Sequence, residues 1–382
     1  MTAAHLPIQR PSDARLLVVS ANGRILHAPR SRFVDLLKRG DLVIANDAAT
    51  LPASLHGVHV QSGEAIEIRL AARSSLAPDN ITTTVGVVFG SGDFHIRTED
   101  RPKPPPLSGG DRLQFGTLSA TVEALLDHPR LVRIRFDGSP CAIWEGIARN
   151  GRPIQYAHVS SPLEMWDVWT PVAAIPAAFE PPSAGFVLSW ETIRAMRKRG
   201  IAFATITLAA GISSTGDPDL DRRLPFDEPY RIPESTASAI AHARADHRRV
   251  IAIGTTVVRA LEHAAMSDAN VHAGGGIANQ RIGSTTRLRV VDAIVSGTHE
   301  PDSSHYQLLR AFVRDHTLQR VSAALEAANY RTHEFGDSVL IEREKRRALR
   351  TIARQCSCSS NMRLHVNGNL VATQPQSGNL MV

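Results

Sequence analysis

The stretch Val250-Ile-Ala-Ile-Gly-Thr-Thr-Val-Val-Arg-Ala-Leu-Glu262 contains the turn that decides the fold. Four apolar residues lead into Gly254, which predicts a buried strand over Val250–Ile253, and two threonines then open a helix over Val257–Ala265. The first turn of a helix has free N–H groups and partial positive charge, so hydroxyl groups there can hold an anion or a ribose. Helix capping is the commoner use of such threonines, and the sequence leaves both uses open. The stretch is neither a Walker A loop nor a G-x-G-x-x-G fingerprint, so it gives no support to a nucleoside triphosphate or NAD site.

Helical and strand patterns alternate on both sides of this stretch. Helices are predicted over Ser31–Arg39, Glu191–Arg199, Glu234–His247 and Ser303–Asp315, and strands over Arg15–Ser20, Asp41–Ala45, Ile201–Leu208 and Val290–Val295. Helices and strands at this spacing predict an α/β main domain with parallel βαβ units. The glycines Gly274–Gly276 are predicted to form a flexible loop.

The middle of the amino-terminal half has a different sequence pattern. Short β-branched or alternating segments occur at Ala65–Leu70, Thr82–Phe89 and Leu131–Phe136, separated by turn residues. This pattern predicts a small all-β domain inserted into the α/β domain. We therefore expect a discontinuous main domain over 1–51 and 154–341 and an inserted domain over 52–153. For residues 342–382 we expect a basic helix, Glu342–Arg354, and a poorly ordered tail.

Composition limits the classes of protein that this chain can represent. Its 382 residues are 43% hydrophobic and 21% charged, which is typical of a globular protein. No apolar run approaches the roughly 18 residues of a membrane span, and the amino terminus lacks a signal-peptide pattern. Three cysteines are too few for a disulfide framework, so we expect a cytoplasmic protein. We expect no association with a membrane, and no obligate protein partner is evident from the sequence. The net charge of +6 suits a polyanionic partner such as RNA, although solvated surface charge explains it equally well.

Several motifs resemble, in order, those of one enzyme family. Residues 254–262 match G-T-T-x-V-R-x-L-E, and residues 40–53 are similar to G-D-L-L-V-x-N-N-T-R-V-x-P-A. Residues 182–185 resemble P-T-A-G, residues 292–303 resemble D-x-L-V-T-N-F-H-L-P-x-S, and residues 330–337 resemble Y-R-F-x-S-Y-G-D. These motifs are those of the S-adenosylmethionine:tRNA ribosyltransferase-isomerases of queuosine biosynthesis, and the resemblance extends from about residue 12 to 341.

The resemblance implies a fold and a reaction. The family has an α/β domain with an inserted β-barrel, which agrees with the periodicity. Its members transfer and isomerise the ribosyl group of S-adenosylmethionine, a co-substrate, onto the aminomethyl group of a deazaguanine base in the tRNA anticodon. The sulfonium acidifies its neighbouring carbon, so that a modest base can remove a proton there. The cation is already present in the co-substrate, and no metal is expected.

The resemblance also implies site residues, of three kinds. For catalysis it leaves Glu228, as a base or a partner of the amine, and His299, for which the role of a hydrogen-bonded loop histidine is an equally open alternative. It assigns S-adenosylmethionine binding to Asn46, Ser183, Gly185, Thr255, Thr256 and Arg259, and substrate binding to Asp302, Ser303, Arg331 and Asp337. For Arg259 a helical salt bridge with Glu262 is the alternative. The run from His299 to His305 is not H-E-x-x-H, and Pro301 disfavours a helix between its histidines, so a metal is not predicted there.

This chain departs from the family at polar positions. Family histidines correspond to Val187, Ala209, Arg223 and Phe226, family arginines to Ala49 and Ser54, and an asparagine to Gly297. A valine or an alanine can neither accept a proton nor bind a ribose hydroxyl. The sequence therefore leaves two alternatives to the family reaction: a relative that only binds S-adenosylmethionine or RNA, and an enzyme that acts on a small-molecule acceptor.

Overall fold

A computed structural model describes residues 1–301 and 303–344 of the chain. Within those residues a nine-stranded mixed sheet carries helices on both faces, and a second sheet closes into a six-stranded antiparallel barrel. The predicted combination of an α/β architecture with a small β-barrel is therefore confirmed. No helix among the described residues is long and apolar enough to cross a membrane.

The strands and helices have the following bounds. The strands are β1 (Thr2–Ala3), β2 (Arg15–Val19), β3 (Ile25–Pro29), β4 (Leu42–Asn46), β5 (Ala48–Thr50), β6 (Ser54–His59), β7 (Ala65–Ala72), β8 (Thr83–Phe89), β9 (Arg112–Phe115), β10 (Leu118–Leu126), β11 (His128–Phe136), β12 (Gly151–Arg152), β13 (Ile175–Ala178), β14 (Ala202–Leu208), β15 (Glu228–Ile232), β16 (Val250–Ile253), β17 (Gly274–Ala278), β18 (Ala293–Gly297), β19 (Arg331–Thr332) and β20 (Ser338–Glu342). The α-helices are α1 (Pro140–Asn150), α2 (Met165–Val168), α3 (Trp190–Lys198), α4 (Pro218–Asp221), α5 (Glu234–Ala245), α6 (Thr255–Ala264), α7 (Ser304–Leu309) and α8 (Asp315–Ala327). Short 3₁₀ helices span Arg30–Leu36, Pro78–Thr82, Thr98–Asp100 and Ser183–Val187.

The large sheet has the order β17-β15-β14-β4-β16-β18-β20-β2-β3 over the described residues. Strands β14, β4, β16 and β18 are parallel neighbours at its centre, and β18 and β20 pair antiparallel. Both faces are covered, because Leu42 and Ile44 pack into the cluster formed with α5 to α8, whereas Val43 and Ala45 pack into the cluster with α3. Burial on both faces explains why these strands are almost continuously apolar.

The barrel is formed by β6, β7, β8, β11, β10 and β9, and the pairing of β6 with β9 closes it. Its interior is filled by apolar side chains, including Ile68, Phe115 and Phe136. Helix α1 contributes Ile143 and Ile147 to this cluster. Closure removes the unpaired strand edges that an open sheet of this size would expose.

Two predicted elements have other boundaries because of contacts that side chains make in the folded chain. The strand predicted at Val290–Val295 is β18, Ala293–Gly297, since the N–H groups of Val290 and Val291 donate to the carboxylate of Glu262. The helix predicted at Ser303–Asp315 is divided into α7 and α8. The ion pair between Arg310 and Asp315 closes the turn between them.

Two other predictions were wrong in the type of structure. Residues Arg30–Leu36 form a 3₁₀ helix in place of the predicted helix Ser31–Arg39, and Leu37 is already extended on the way to β4. Gly274–Gly276 form part of β17, which pairs with β15. A Cβ atom at Gly276 would lie 2.5 Å from the Tyr230 hydroxyl, so the glycine is required by packing. Most of the basic helix and tail predicted for 342–382 lies outside the described residues, and Glu342 itself ends β20.

Candidate functional site

The candidate site lies at the carboxyl ends of the parallel strands. The segments that follow β14, β16 and β18 border one cavity of about 90 Å³, together with the loop after β13 and helix α7. Its lining includes six of the predicted site residues, Ser183, Glu228, Thr255, Thr256, Arg259 and His299. The edge at which parallel strands end is where open α/β sheets bind ligands, because the following loops diverge there.

Helix α6 presents its first turn to this cavity. Gly254 precedes the helix with φ of 94°, a conformation that only glycine adopts without strain, and its N–H donates to Val295 O at 2.8 Å. No side chain among the described residues caps the helix, so capping is not the role of the two threonines. The hydroxyl of Thr256 is buried and has no hydrogen-bond partner among the described residues. It is therefore available to a ligand in the cavity.

Arg259, one turn further along α6, is buried and pairs with Glu228 at the start of β15. Its guanidinium also donates to the carbonyl oxygens of Ala278 at 2.6 Å and Phe226 at 3.2 Å. The alternative prediction, a salt bridge between Arg259 and Glu262, is wrong, because the carboxylate of Glu262 accepts the N–H groups of residues 289–291. The pair brings a cation and an anion to the cavity wall.

Glu228 is a buried carboxylate held by two donors. Besides Arg259, the N–H of Gly211 donates to it at 3.0 Å. Burial raises the pKa of Glu228, and the positive charge of Arg259 and the Gly211 N–H only partly offset this effect. This carboxylate lines the cavity, and it takes up a proton more readily there than a glutamate exposed to water does.

His299 and His305, which also line the cavity, form a stacked pair. Their ring centroids are 4.4 Å apart with an interplanar angle of 9°. Burial, with the nearby His305 and His333, lowers the pKa of His299 well below its usual value, and burial also lowers the pKa of His305. Both imidazoles are therefore neutral near pH 7, when each ring offers one acceptor nitrogen and one N–H donor.

Glu180 is a cavity residue that the sequence reasoning missed. Its carboxylate accepts the hydroxyl of Tyr156 at 2.5 Å and the N–H of Ser213 at 3.1 Å. Burial raises the pKa of Glu180 to about 7, a shift that the negative charge of Glu334 reinforces. An acid placed just before Pro181 and Pro182, at the end of an apolar segment, is the signal that could have identified it. A carboxyl group with this pKa can both accept and donate a proton near neutral pH.

Other residues assigned to co-substrate binding serve the scaffold. Asn46 bonds the N–H and carbonyl of Leu208 and the N–H of Ala48, which ties the ends of β4 and β14 together. Gly185 is buried, and a Cβ atom there would lie 2.8 Å from Thr170 Cγ2. Neither residue lines the cavity, so their contact with a ligand stays a prediction.

Ser303, Arg331 and Asp337, the described residues assigned to substrate binding, do not line the cavity either. Ser303 caps α7 by accepting the N–H of Tyr306 at 3.2 Å. Asp337 is buried and accepts N–H groups of Arg15 and Arg331, while Arg331 also pairs with the exposed Asp13. Asp302 lies outside the described residues. Substrate contact by these residues also stays a prediction.

Comparisons with known proteins place this site in context. The sequence model of the family described as Queuosine biosynthesis protein matches residues 1–341. The S-adenosylmethionine:tRNA ribosyltransferase-isomerase of Sorangium cellulosum is 33% identical over 360 residues, covering 88% of this chain and 94% of that relative. The protein of the same name from Thermus thermophilus is 32% identical over 359 residues, covering 88% and 97% of the two chains. The solved S-adenosylmethionine tRNA ribosyltransferase of Thermotoga maritima is 22% identical, with a TM-score of 0.47 over 89% of this chain and 96% of that one.

Proposed function

The chain belongs to the queuosine biosynthesis protein family, and from that premise we propose that it is an S-adenosylmethionine-dependent tRNA ribosyltransferase-isomerase. Its co-substrate is S-adenosylmethionine, and its acceptor is the aminomethyl deazaguanine of a tRNA anticodon. A tRNA substrate also favours a cytoplasmic location. We retain the division into a main domain over 1–51 and 154–341 and an inserted domain over 52–153, which the barrel strands support.

One observation carries this proposal. Three segments far apart in sequence, around Ser183, Thr255 and His299, border the same cavity at the ends of the parallel strands. The resemblance assigns a site residue to each of these segments. The free hydroxyl of Thr256, at a helix amino terminus, suits the oxygen atoms of a ribosyl group. A sulfonium is cationic, and the buried acids Glu180 and Glu228 both line the cavity that would receive it.

The lining suits the chemistry that S-adenosylmethionine supplies. Removal of a proton beside the sulfonium requires a base whose pKa lies near the working pH. Glu180 meets this condition better than Glu228, whose charge Arg259 compensates, or His299, whose pKa is far lower. We assign the removal of this proton to Glu180. The Glu228–Arg259 pair orders the neighbouring part of the cavity lining, and His299 forms a hydrogen bond with the substrate.

The size of the cavity sets a condition on binding. Its volume of about 90 Å³ is below the about 300–1,000 Å³ of typical small-molecule sites. We therefore expect the segments that border it to separate when S-adenosylmethionine enters. Val187 and Ala209, which replace family histidines, are buried among apolar side chains and contribute no polar group.

The test is the release of adenine from S-adenosylmethionine in the presence of tRNA bearing the aminomethyl deazaguanine. We expect turnover, and an at least tenfold loss of it in Thr256→Val and Glu180→Gln. Thr236→Val is the matched control, because Thr236 is buried away from the cavity and bonds Thr205 O. No adenine release, while a reference enzyme turns over, contradicts the proposal. Calorimetric binding without turnover then identifies a relative that has kept the fold and lost the reaction.

A further inference from the structure

A second group of chemically active side chains lies beside the main cavity. His158, His333 and Glu334 bring one potential metal-ligand atom each to within 4.8 Å of one another, and we call them the histidine cluster. The Nε2 atom of His158 lies 3.1 Å from Oε2 of Glu334, and the two imidazole rings stack with centroids 4.2 Å apart. All three residues are partly buried.

The composition of the histidine cluster fits a transition metal. Two imidazoles and one carboxylate form a ligand set known for zinc, with one position left for water or substrate. Tetrahedral zinc with bonds of about 2.0–2.2 Å places its ligand atoms about 3.3 Å apart. The separation of His158 and Glu334 is already close to this value, and no pair of ligand atoms in the cluster is more than 4.8 Å apart. For both imidazole nitrogens to reach one ion, one of the stacked rings must rotate about its side-chain bonds.

Each loop that carries these ligands is organised by a buried polar side chain. Gln155 donates to the carbonyls of Val159 and Ser161 and accepts the N–H of Leu163, which closes the loop around His158. Asp337 holds the N–H of Arg331 at 2.9 Å and thereby fixes the turn that contains His333 and Glu334.

The backbone at His333 supports this view. Its φ is 68°, which is uncommon for a residue other than glycine, and its carbonyl accepts the Gly336 N–H at 3.0 Å. Conformations of this kind persist where the surroundings determine them, and they concentrate at functional sites.

A simple ion pair accounts for only part of the histidine cluster. It explains the contact between His158 and Glu334 but leaves His333 without a role. The imidazole of His333 makes no hydrogen bond with any described side chain, and its Nε2 lies 3.8 Å from the exposed Glu300. Two stacked histidines cannot both carry a proton without repulsion, whereas two neutral imidazoles and a carboxylate are what a divalent ion binds.

We propose that His158, His333 and Glu334 bind a divalent transition-metal ion, with zinc favoured by the ligand set. The ion joins the loop at 155–163 to the turn at 331–337. Glu180 lines both the main cavity and the small cavity beside the cluster, so the ion lies behind the wall that carries the proposed base. The site does not depend on the proposed ribosyl transfer and can be tested without any substrate.

The experiment measures metal binding to the full chain free of any polyhistidine tag. After dialysis against chelator, the protein is titrated with Zn²⁺ by calorimetry and with Co²⁺ by visible absorption, which reports tetrahedral coordination. We expect one ion per chain, and an at least tenfold weaker affinity in each of His158→Ala, His333→Ala and Glu334→Gln. Circular dichroism confirms that these variants fold.

The matched control is His272→Ala, which removes an exposed histidine that also contacts an acid, Asp268. It should leave affinity and stoichiometry unchanged. Three outcomes overturn the proposal: no binding tighter than millimolar, binding that all three cluster variants retain, or binding that His299→Ala abolishes and His333→Ala does not. The last outcome would move the ion into the main cavity.

Discussion

At the scale of single residues, burial makes Glu180 a source of pH-dependent stability. Its pKa rises from 4.5 to about 7 on folding, so the folded chain holds this proton more tightly than the unfolded chain. The resulting stability is complete below about pH 4.5 and is lost as the pH rises through about 7. We predict that the wild type loses about 1–3 kcal/mol more unfolding free energy between pH 5 and pH 8 than Glu180→Gln does, because the glutamine stays neutral.

Urea denaturation at pH 5, 6, 7 and 8 measures this effect. The control is Glu326→Gln, at an exposed position on α8, and it should not change the pH dependence. Parallel curves for the wild type and Glu180→Gln would show that the carboxyl group titrates as it does in water.

The pair of Arg259 and Glu228 gives a second prediction at this scale. Arg259→Leu leaves the buried carboxylate without its cation, which should cost about 3–5 kcal/mol of unfolding free energy. Replacing both residues by leucine should recover much of that loss, since no buried charge remains. The comparison is Arg149→Leu, which breaks an exposed pair with Glu145 and should cost no more than about 0.5 kcal/mol. Equal losses at the two sites, measured by urea denaturation, would contradict the role given to burial.

At the scale of elements, the start of α6 depends on one glycine. With φ of 94° at Gly254, an alanine is strained even though its Cβ would have ordinary contacts of 3.5 Å. We predict that Gly254→Ala destabilises the protein by about 1–3 kcal/mol and weakens S-adenosylmethionine binding, because Thr255 and Thr256 shift.

Gly110 offers a matched control for this substitution. Its φ is 96°, nothing lies within 4 Å of the added Cβ, and it is in the barrel domain. Gly110→Ala should lose comparable stability and keep its affinity for S-adenosylmethionine, as calorimetry can determine. If the two substitutions had equal effects on the affinity for S-adenosylmethionine, the α6 turn would not be part of the binding site.

Elements were predicted well where periodicity alone determines them. The apolar run Val250–Ile253 is β16 to the residue, because burial on both faces requires it to be apolar throughout. The beginning of β18 was not predictable, since it depends on Glu262, a residue on a helix that reaches the strand only in the folded chain. The glycine run in β17 was misread for a similar reason, because its partner Tyr230 is distant in sequence.

At the scale of the whole molecule, the salt concentration should affect the binding of the two proposed substrates differently. The chain has a net charge of +6, and contacts with tRNA phosphates release counterions. We predict that raising the salt concentration from 50 to 200 mM weakens tRNA binding by about tenfold or more and changes S-adenosylmethionine binding by less than about twofold. Filter binding and calorimetry at the two concentrations measure these effects. A tRNA affinity that is insensitive to salt would favour a small-molecule acceptor.

The sequence by itself determined the α/β architecture with its barrel and the family, because apolar periodicity and ordered motifs are local properties of the chain. It also identified Ser183, Thr255, Thr256, Glu228, Arg259 and His299 as candidates, all of which border the cavity. The partner of Arg259, the pKa of Glu180 and the grouping of His158 with His333 and Glu334 were decided only by the tertiary structure. All three features were unpredictable for the same physical reason. Desolvation and hydrogen bonding depend on which distant segments the sheet brings together, and the spacing of residues along the chain does not specify those segments.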